Sequence, residues 1–346
     1  MVSLPVRFPQ ENPVSISYKD WGEVKLKQWE KKAQEVSGNV FHDSDSSLLI
    51  PIAHDLASQY LPEELRQQIS QINLPDGLTH LHLKGLPQDP YLPASPVDGN
   101  RPIGKRTFVS ELVLLGIISH ALESEVFAYQ EQKQGDLVQN VVPIQGLEKT
   151  QSNASVGNFG WHSDDASFKR PYRAEGIALF CLRNQSKTVT YFAEVDDIIK
   201  ALHPIDLQVL REPRFRVRTP ESFKLYGGKI VSSEPRAIIT DGEAGAEIAL
   251  ATYNVVPVDD EDEEALDALY ALKLALRTPV AKSFVLQQGE VLIISNVRGV
   301  HARGPIFGGD RWLQRCYFRK DLTELHKVTN SSHDCRVFGS EDLFLL

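Results

Sequence analysis

From residue 137 onward the chain breaks into about eight short runs rich in β-branched and aromatic residues, each closed by a turn, and this rhythm constrains the fold more than any other feature. The runs cover 137–144, 176–182, 188–192, 236–240, 247–253, 284–286, 291–295 and 312–318. Many short strands gathered in one region predict a sandwich or a jelly-roll barrel. Two helical insertions interrupt them. One is 195–202 with 204–210 behind it; the other is 262–276, with Leu266, Leu269, Leu272 and Leu276 on one face. The acidic run 259–264 opens the second insertion, where negative charge suits the helix dipole, and it reads as a solvated helix start and not as a metal site.

The first 135 residues read as mainly helical. Apolar spacing predicts helix within 17–36, a helix start at Leu61-Pro62-Glu63-Glu64-Leu65, and one long amphipathic helix over 108–132. Alternation in Leu78-Thr79-His80-Leu81-His82-Leu83 predicts a strand, and a Pro-rich connection spans 86–102. The expected organisation is one domain over 1–346: a helical part over 1–135, a jelly-roll core over 136–321 with a helical insertion near 259–278, and a tail over 322–346.

Composition narrows the function. Lys plus Arg number 37 against 46 Asp plus Glu, a net charge of -9, the wrong sign for a non-specific nucleic-acid binder. Cys181, Cys316 and Cys335 are odd in number and far apart, which argues against a disulfide framework or a CxxC motif and for a reducing, cytoplasmic setting. No apolar stretch is long enough for a membrane span, and the start, MVSLPVRFPQENP, lacks a signal-peptide layout.

Two of the ten histidines have informative neighbours. His162 lies in Gly160-Trp161-His162-Ser163-Asp164-Asp165, and His301 in Arg298-Gly299-Val300-His301-Ala302-Arg303, just after the run 291–295. At a strand end, residues i and i+2 share a face, so His162 and Asp164 can bind one ion. Two imidazoles and a carboxylate on one side of ferrous iron leave open positions for a bidentate co-substrate and dioxygen. Alone, His-x-Asp is weak, and a surface turn with Asp164 capping backbone amides explains it better. Arg311, ten residues after His301, heads another strand, where a guanidinium fork can hold a dicarboxylate whose other end chelates the metal.

These residues, with Val138-Gln139-Asn140-Val141-Val142-Pro143, Trp161 to Ala166, Pro171-Tyr172-Arg173-Ala174, Leu179 to Asn184, Gly289 to Asn296 and Asp310-Arg311-Trp312-Leu313-Gln314-Arg315, resemble the clavaminate synthase-like branch of the iron(II)/2-oxoglutarate dioxygenases. That branch includes free arginine and lysine hydroxylases. The resemblance runs from about Thr79 to Asp321. It implies a double-stranded β-helix core with helical additions, iron held by His162, Asp164 and His301, and 2-oxoglutarate gripped by Arg311 with help from Thr190. It also implies an amino-acid substrate met by Arg315, Gln139, Asn153 and the second oxygen of Asp164. The implied reaction uses Fe(II), 2-oxoglutarate and O2 to hydroxylate an unactivated carbon of a free L-amino acid, with succinate and CO2 as co-products.

The closest members of that branch mostly have Glu where this chain has Asp164. Arginine- and lysine-type members place acids on the strand before the second helical insertion, whereas here it reads Ala251-Thr252-Tyr253-Asn254-Val255-Val256. A basic side chain would then depend on Asp165, Asp241, Glu243 or the run 259–264. Polar or weakly basic substrates are expected ahead of acidic ones, and the loop 165–173 and the insertion 262–276 are expected as lids. The alternatives are a sulfonate- or carnitine-type oxygenase, a desaturase or cyclase, and a non-catalytic metal-binding barrel; self-association stays open. His80 and His82 read as surface or packing residues, Cys181 as inert core, and Tyr226-Gly227-Gly228-Lys229 as a hairpin turn lacking the features of a phosphate-binding loop.

Overall fold

The computed structural model describes residues 15–17, 23–37, 45–100, 106–219, 227–277 and 280–344. The start of the chain, positions 18–22 of the first expected helix, 101–102 of the Pro-rich connection, Tyr226 and Thr278 lie outside the described residues.

The N-terminal part contains β1 (Ser15–Ser17), α1 (Glu23–Ser37), α2 (Leu49–Tyr60), α3 (Glu63–Ile69), β2 (His80–Lys84), α4 (Phe108–Gly116) and β3 (Glu125–Tyr129). Next come β4 (Gln139–Val141), β5 (Phe159–His162), β6 (Gly176–Asn184), β7 (Thr190–Glu194), α5 (Val195–Ala201), α6 (Pro204–Leu210), β8 (Phe215–Val217), β9 (Ile239–Gly242), β10 (Gly245–Ile248) and β11 (Val255–Pro257). The chain continues through α7 (Glu263–Ala275), β12 (Ala281–Phe284), β13 (Val291–Ser295), β14 (Gly299–Arg303), β15 (Arg311–Arg319), α8 (Thr323–Thr329), β16 (Val337–Phe338) and α9 (Ser340–Phe344).

Two sheets face each other. The major one runs β1-β2-β13-β6-β15-β3-β16, with β4 also on β15, and the minor one runs β12-β7-β14-β5. This is the jelly-roll core with helical additions that the spacing of the runs predicts. Successive side chains on a strand point to opposite faces, and both faces of the major sheet are covered. On β6 and β15, Ile177, Leu179, Cys181, Leu313 and Tyr317 join Phe192 and Phe284 of the minor sheet inside the barrel. Their neighbours Ala178, Phe180, Trp312, Cys316 and Phe318 meet α1, α2 and α4 on the outside. A third apolar cluster packs α5, α6 and α7 behind the minor sheet.

The expected helix over 108–132 is three elements. All nine residues of α4 are buried, so its apolar spacing carries no information about where the helix stops. A π-helical turn, Ile117–Ala121, follows. Glu123 then adopts φ 47 and turns the chain into β3, where Val126 to Tyr129 pair with β15 and β16. A fully buried strand and a buried helix end look alike in a short apolar run.

One smaller expectation also changes, and of the two readings of His80 and His82 the packing one holds. On α7, Asp262 caps the helix by accepting from the Ala265 amide, and Leu269, Leu272 and Leu276 are buried, but Leu266 is exposed. His80 and His82 are buried and not at the surface. His82 Nε2 lies 2.9 Å from Glu290 and His80 Nδ1 lies 3.3 Å from Glu194, so each imidazole has a carboxylate beside it inside the sheet, while His80 Nε2 is buried without a partner among the described residues.

Candidate active site

His301 stands at the middle of β14, in register with His162 at the end of β5 on one side and Phe192 of β7 on the other. The strand pairing thus sets the two imidazoles side by side, with ring centroids 4.1 Å apart. His162 Nδ1 lies 2.8 Å from the Gly160 carbonyl, which places the proton there and leaves the Nε2 lone pair bare. That Nε2 is buried without a hydrogen-bond partner. It lies 3.2 Å from Asp164 Oδ1, and His301 Nε2 lies 3.9 Å from the same oxygen. The donor atoms of His162, Asp164 and His301 all fall within 4.8 Å of one another, the spacing of ligands around one ion.

The rest of Asp164 is fully engaged. Its Oδ2 accepts from Arg315 Nη1 at 2.7 Å and from the Tyr317 hydroxyl at 3.0 Å. Its backbone amide donates to Asn296 Oδ1 at 2.7 Å, while Asn296 Nδ2 donates to the carbonyls of Asp164 and Ala174. Burial alone would raise the Asp164 carboxyl, but the Arg315 guanidinium and the two imidazoles hold it well below the carboxylate range. Burial, with His162 beside it, pushes His301 down to about 3, so it is a neutral ligand with a free lone pair. Asp165, at φ 55, is pushed up to about 8 by burial and by the charge of Asp164.

Asn296 is completely buried; it ends a run that carries the resemblance, but its role was not legible there because it clamps backbone. Asn296→Ala leaves three buried backbone groups unsatisfied. The expected cost is about 2–4 kcal/mol of stability, read as a lower denaturation midpoint, together with weaker metal binding because the carboxylate loses its fixed position.

Arg311 and Arg315 lie on the same inward face of β15, as their separation of four requires. Arg311 is buried, and its Nε and Nη1 have no hydrogen-bond partner. Burial, with Arg303 nearby, pushes it down to about 9. A desolvated guanidinium with free N–H groups is a receptor for a carboxylate. Thr190 is buried on β7 in register with Arg303, and no side-chain bond joins it to Arg311 among the described residues.

A pocket opens beside His162 and Asp164, walled by Phe159, Tyr253, Asn153, Lys133, Arg315 and Arg218 among others, with His301 not on its walls. Gln139 lies on β4 against β15 and accepts from Arg315 Nη2. Asn153 is on the pocket wall as the resemblance implies, and Asp165 and Ser167 bring part of the loop 165–173 to it, but α7 is not among its walls. Sequence reasoning passed over Tyr317, Gln132 and Lys133. Alternation along β15 places Tyr317 on the face of Arg311 and Arg315, so that signal was present. Cys181 is buried, its thiol pushed up to about 12 by burial, and it is inert as expected.

The sequence pattern of the taurine catabolism dioxygenase TauD, TfdA family matches residues 111–317, more than half of the chain and including all three candidate ligands. The chain belongs to the TauD/TfdA family. Within it, the chain is 30% identical over 256 residues to an L-asparagine oxygenase of Streptomyces coelicolor, covering 72% of each protein. It is 26% identical over 314 residues to an L-ornithine/L-arginine 3-hydroxylase of Catenulispora acidiphila, covering 82% of this chain and 88% of that one. The structure is similar to that of the non-haem iron oxygenase OrfP in complex with Fe, succinate and (3S)-hydroxy-L-Arg, with a TM-score of 0.80, 25% identity, and 94% of this chain and 100% of that chain covered.

Proposed function

We propose that this TauD/TfdA-family protein is an iron(II)/2-oxoglutarate-dependent oxygenase that hydroxylates an unactivated carbon of a free L-amino acid or close derivative, with succinate and CO2 as co-products. The observation that carries the reading is the convergence of three donor atoms, from His162, Asp164 and His301, with one imidazole nitrogen buried and unpartnered. The donor set suits ferrous iron, which with 2-oxoglutarate and dioxygen supplies the oxidising chemistry.

The chain's own residues do the rest. Gly160 fixes the tautomer of His162, and Arg315 and Tyr317 hold the second oxygen of Asp164 so that Oδ1 faces the histidines. Arg311 takes the far carboxylate of 2-oxoglutarate, with Thr190 assisting. Arg315 and Gln139 meet the α-carboxylate and α-amino group of the substrate, with Asn153 on the pocket wall. Phe159 and Tyr253 stack around His162 and keep water from the reacting carbon.

A non-catalytic barrel has no use for a buried, unpaired Arg311, and the amino-acid chemistry of the named relatives favours a free amino acid over a sulfonate or carnitine. The chain is read as one dioxygenase domain over 1–346, since β2 from the N-terminal part pairs with β13 of the core. Among the described residues no helix is long and apolar enough to cross a membrane, and all three cysteines are free, which supports a cytoplasmic setting. The substrate is a small molecule, and self-association is left to measurement.

The test is a panel of free amino acids given to enzyme with Fe(II) and 2-oxoglutarate under air. The expected result is succinate in step with a mass gain of one oxygen on one class of amino acid. Succinate with a peptide, a sulfonate or a carrier-bound acyl group, and none with any free amino acid, contradicts the substrate reading.

A further inference from the structure

We propose that Lys133 selects substrates whose side chain ends in a carboxylate, an inference that rests on the free-amino-acid reading above. Lys133 is 6% exposed and lines the pocket that opens beside His162 and Asp164. Among the described residues no carboxylate lies within salt-bridge distance of it, although Asp98 and Asp136 act on it from further away. Burial, with the like charge of Arg315 adding to it, pushes its ammonium down to about 8. A buried cation without a close partner costs stability unless a bound anion repays it.

The backbone is shaped to put it there. Lys133 and Gln134 adopt φ 49 and 57 and are followed by Gly135 at φ 80. Left-handed backbone at two consecutive non-glycine residues persists where surrounding structure enforces it, and such positions cluster at ligand sites. The facing loop makes room for the ammonium, since a Cβ at Gly99 would stand 2.1 Å from Lys133 Nζ.

The charges around the pocket agree. Arg218, exposed at the pocket, is a second cation without a carboxylate partner among the described residues. Of the acids on the walls, Asp164 is bound by Arg315 and Tyr317, both oxygens of Glu131 accept the Ser340 amide, and Asp165 accepts from Gln132 through Oδ1 while its buried Oδ2 has no partner among the described residues. Of the acids that the sequence offered to a basic side chain, Asp165 alone is on these walls; Asp241 is exposed and paired with Arg211, Glu243 is exposed, and Asp262 caps α7 and pairs with Arg214. Ala251 and Tyr253, on the strand that carries acids in arginine-type members, give this pocket no charge. The sequence-based preference for polar or weakly basic side chains rests on the net charge of -9 and on Asp164 and Asp165, and Lys133 and Arg218 set two cations on the same pocket against it.

The test is calorimetric titration of the anaerobic enzyme, loaded with Fe(II) and 2-oxoglutarate, with L-aspartate, L-glutamate, L-glutamine, L-norvaline and L-ornithine. The expected result is that one acid binds about tenfold to a hundredfold more tightly than norvaline, with glutamine between and ornithine weakest. Lys133→Met should bring the acid-to-norvaline ratio near one, and Lys133→Arg should preserve it. The wild-type ranking alone overturns the inference if norvaline or ornithine binds as tightly as the acids. So does an unchanged ratio in a folded Lys133→Met variant. Binding of free amino acids regardless of their terminal group overturns this inference and leaves the free-amino-acid reading standing, whereas binding of none overturns both.

Discussion

His162→Ala and His301→Ala are expected to lose turnover altogether and, under anaerobic conditions, the weak visible band that iron and 2-oxoglutarate form together. Each substitution removes one of the three converging donors found among the described residues, leaving Asp164 with a single imidazole beside it. Losing an outer partner of a metal ligand already costs about 10- to 100-fold in metal affinity, so losing a ligand should cost more. Asp164→Ala should do the same and in addition delete the bonds of Arg315 and Tyr317 to Oδ2, leaving Arg315 with Gln132 and Gln139 and Tyr317 with Gln132. The measurement is an anaerobic Fe(II) titration followed by a succinate assay, with circular dichroism to establish that each variant folds. Normal activity in either histidine variant removes the ligand assignment.

Arg311→Ala should raise the 2-oxoglutarate requirement steeply. Losing a bidentate, charge-assisted clamp costs about 2–4 kcal/mol, or roughly thirty- to a thousand-fold in binding. Because its Nε and Nη1 are buried without partners, the same residue burdens the ligand-free protein. Arg311→Met is therefore expected to match or exceed the thermal stability of the wild type without 2-oxoglutarate, and to gain far less stability when it is added. Arg315→Ala should chiefly raise the requirement for the amino acid. If the two arginine variants show the opposite pattern, the roles are exchanged.

What the sequence could reveal follows from how its residues are buried. The strands β6, β13 and β15 were legible because short apolar and aromatic runs bounded by Gly and polar turns have few other readings. The insertion helices were legible because Asp262 and Pro204 mark their starts. The stretch 108–132 was not, since burial on all sides erases the periodicity that separates α4 from β3. β14 was missed as a strand because Gly299-Val300-His301-Ala302-Arg303 trades β-propensity for two residues that face the site.

The same physics divides the site. His162, Asp164, His301, Arg311 and Arg315 were found because metal and carboxylate chemistry needs those residue types at short spacings. Asn296 was not, because its partners are backbone groups that no sequence pattern names. Lys133 was missed for a different reason. Its position depends on a left-handed turn and on a glycine 34 positions earlier in the chain, a contact that only the fold creates.

The most direct test of the central claim is an anomalous difference map at the iron edge, from crystals grown anaerobically with Fe(II) and 2-oxoglutarate. The account predicts one strong peak within bonding distance of His162 Nε2, Asp164 Oδ1 and His301 Nε2, with the far carboxylate of 2-oxoglutarate on Arg311. A peak elsewhere, such as between His80 and Glu194, or no peak at the triad in crystals that bind iron, would contradict it.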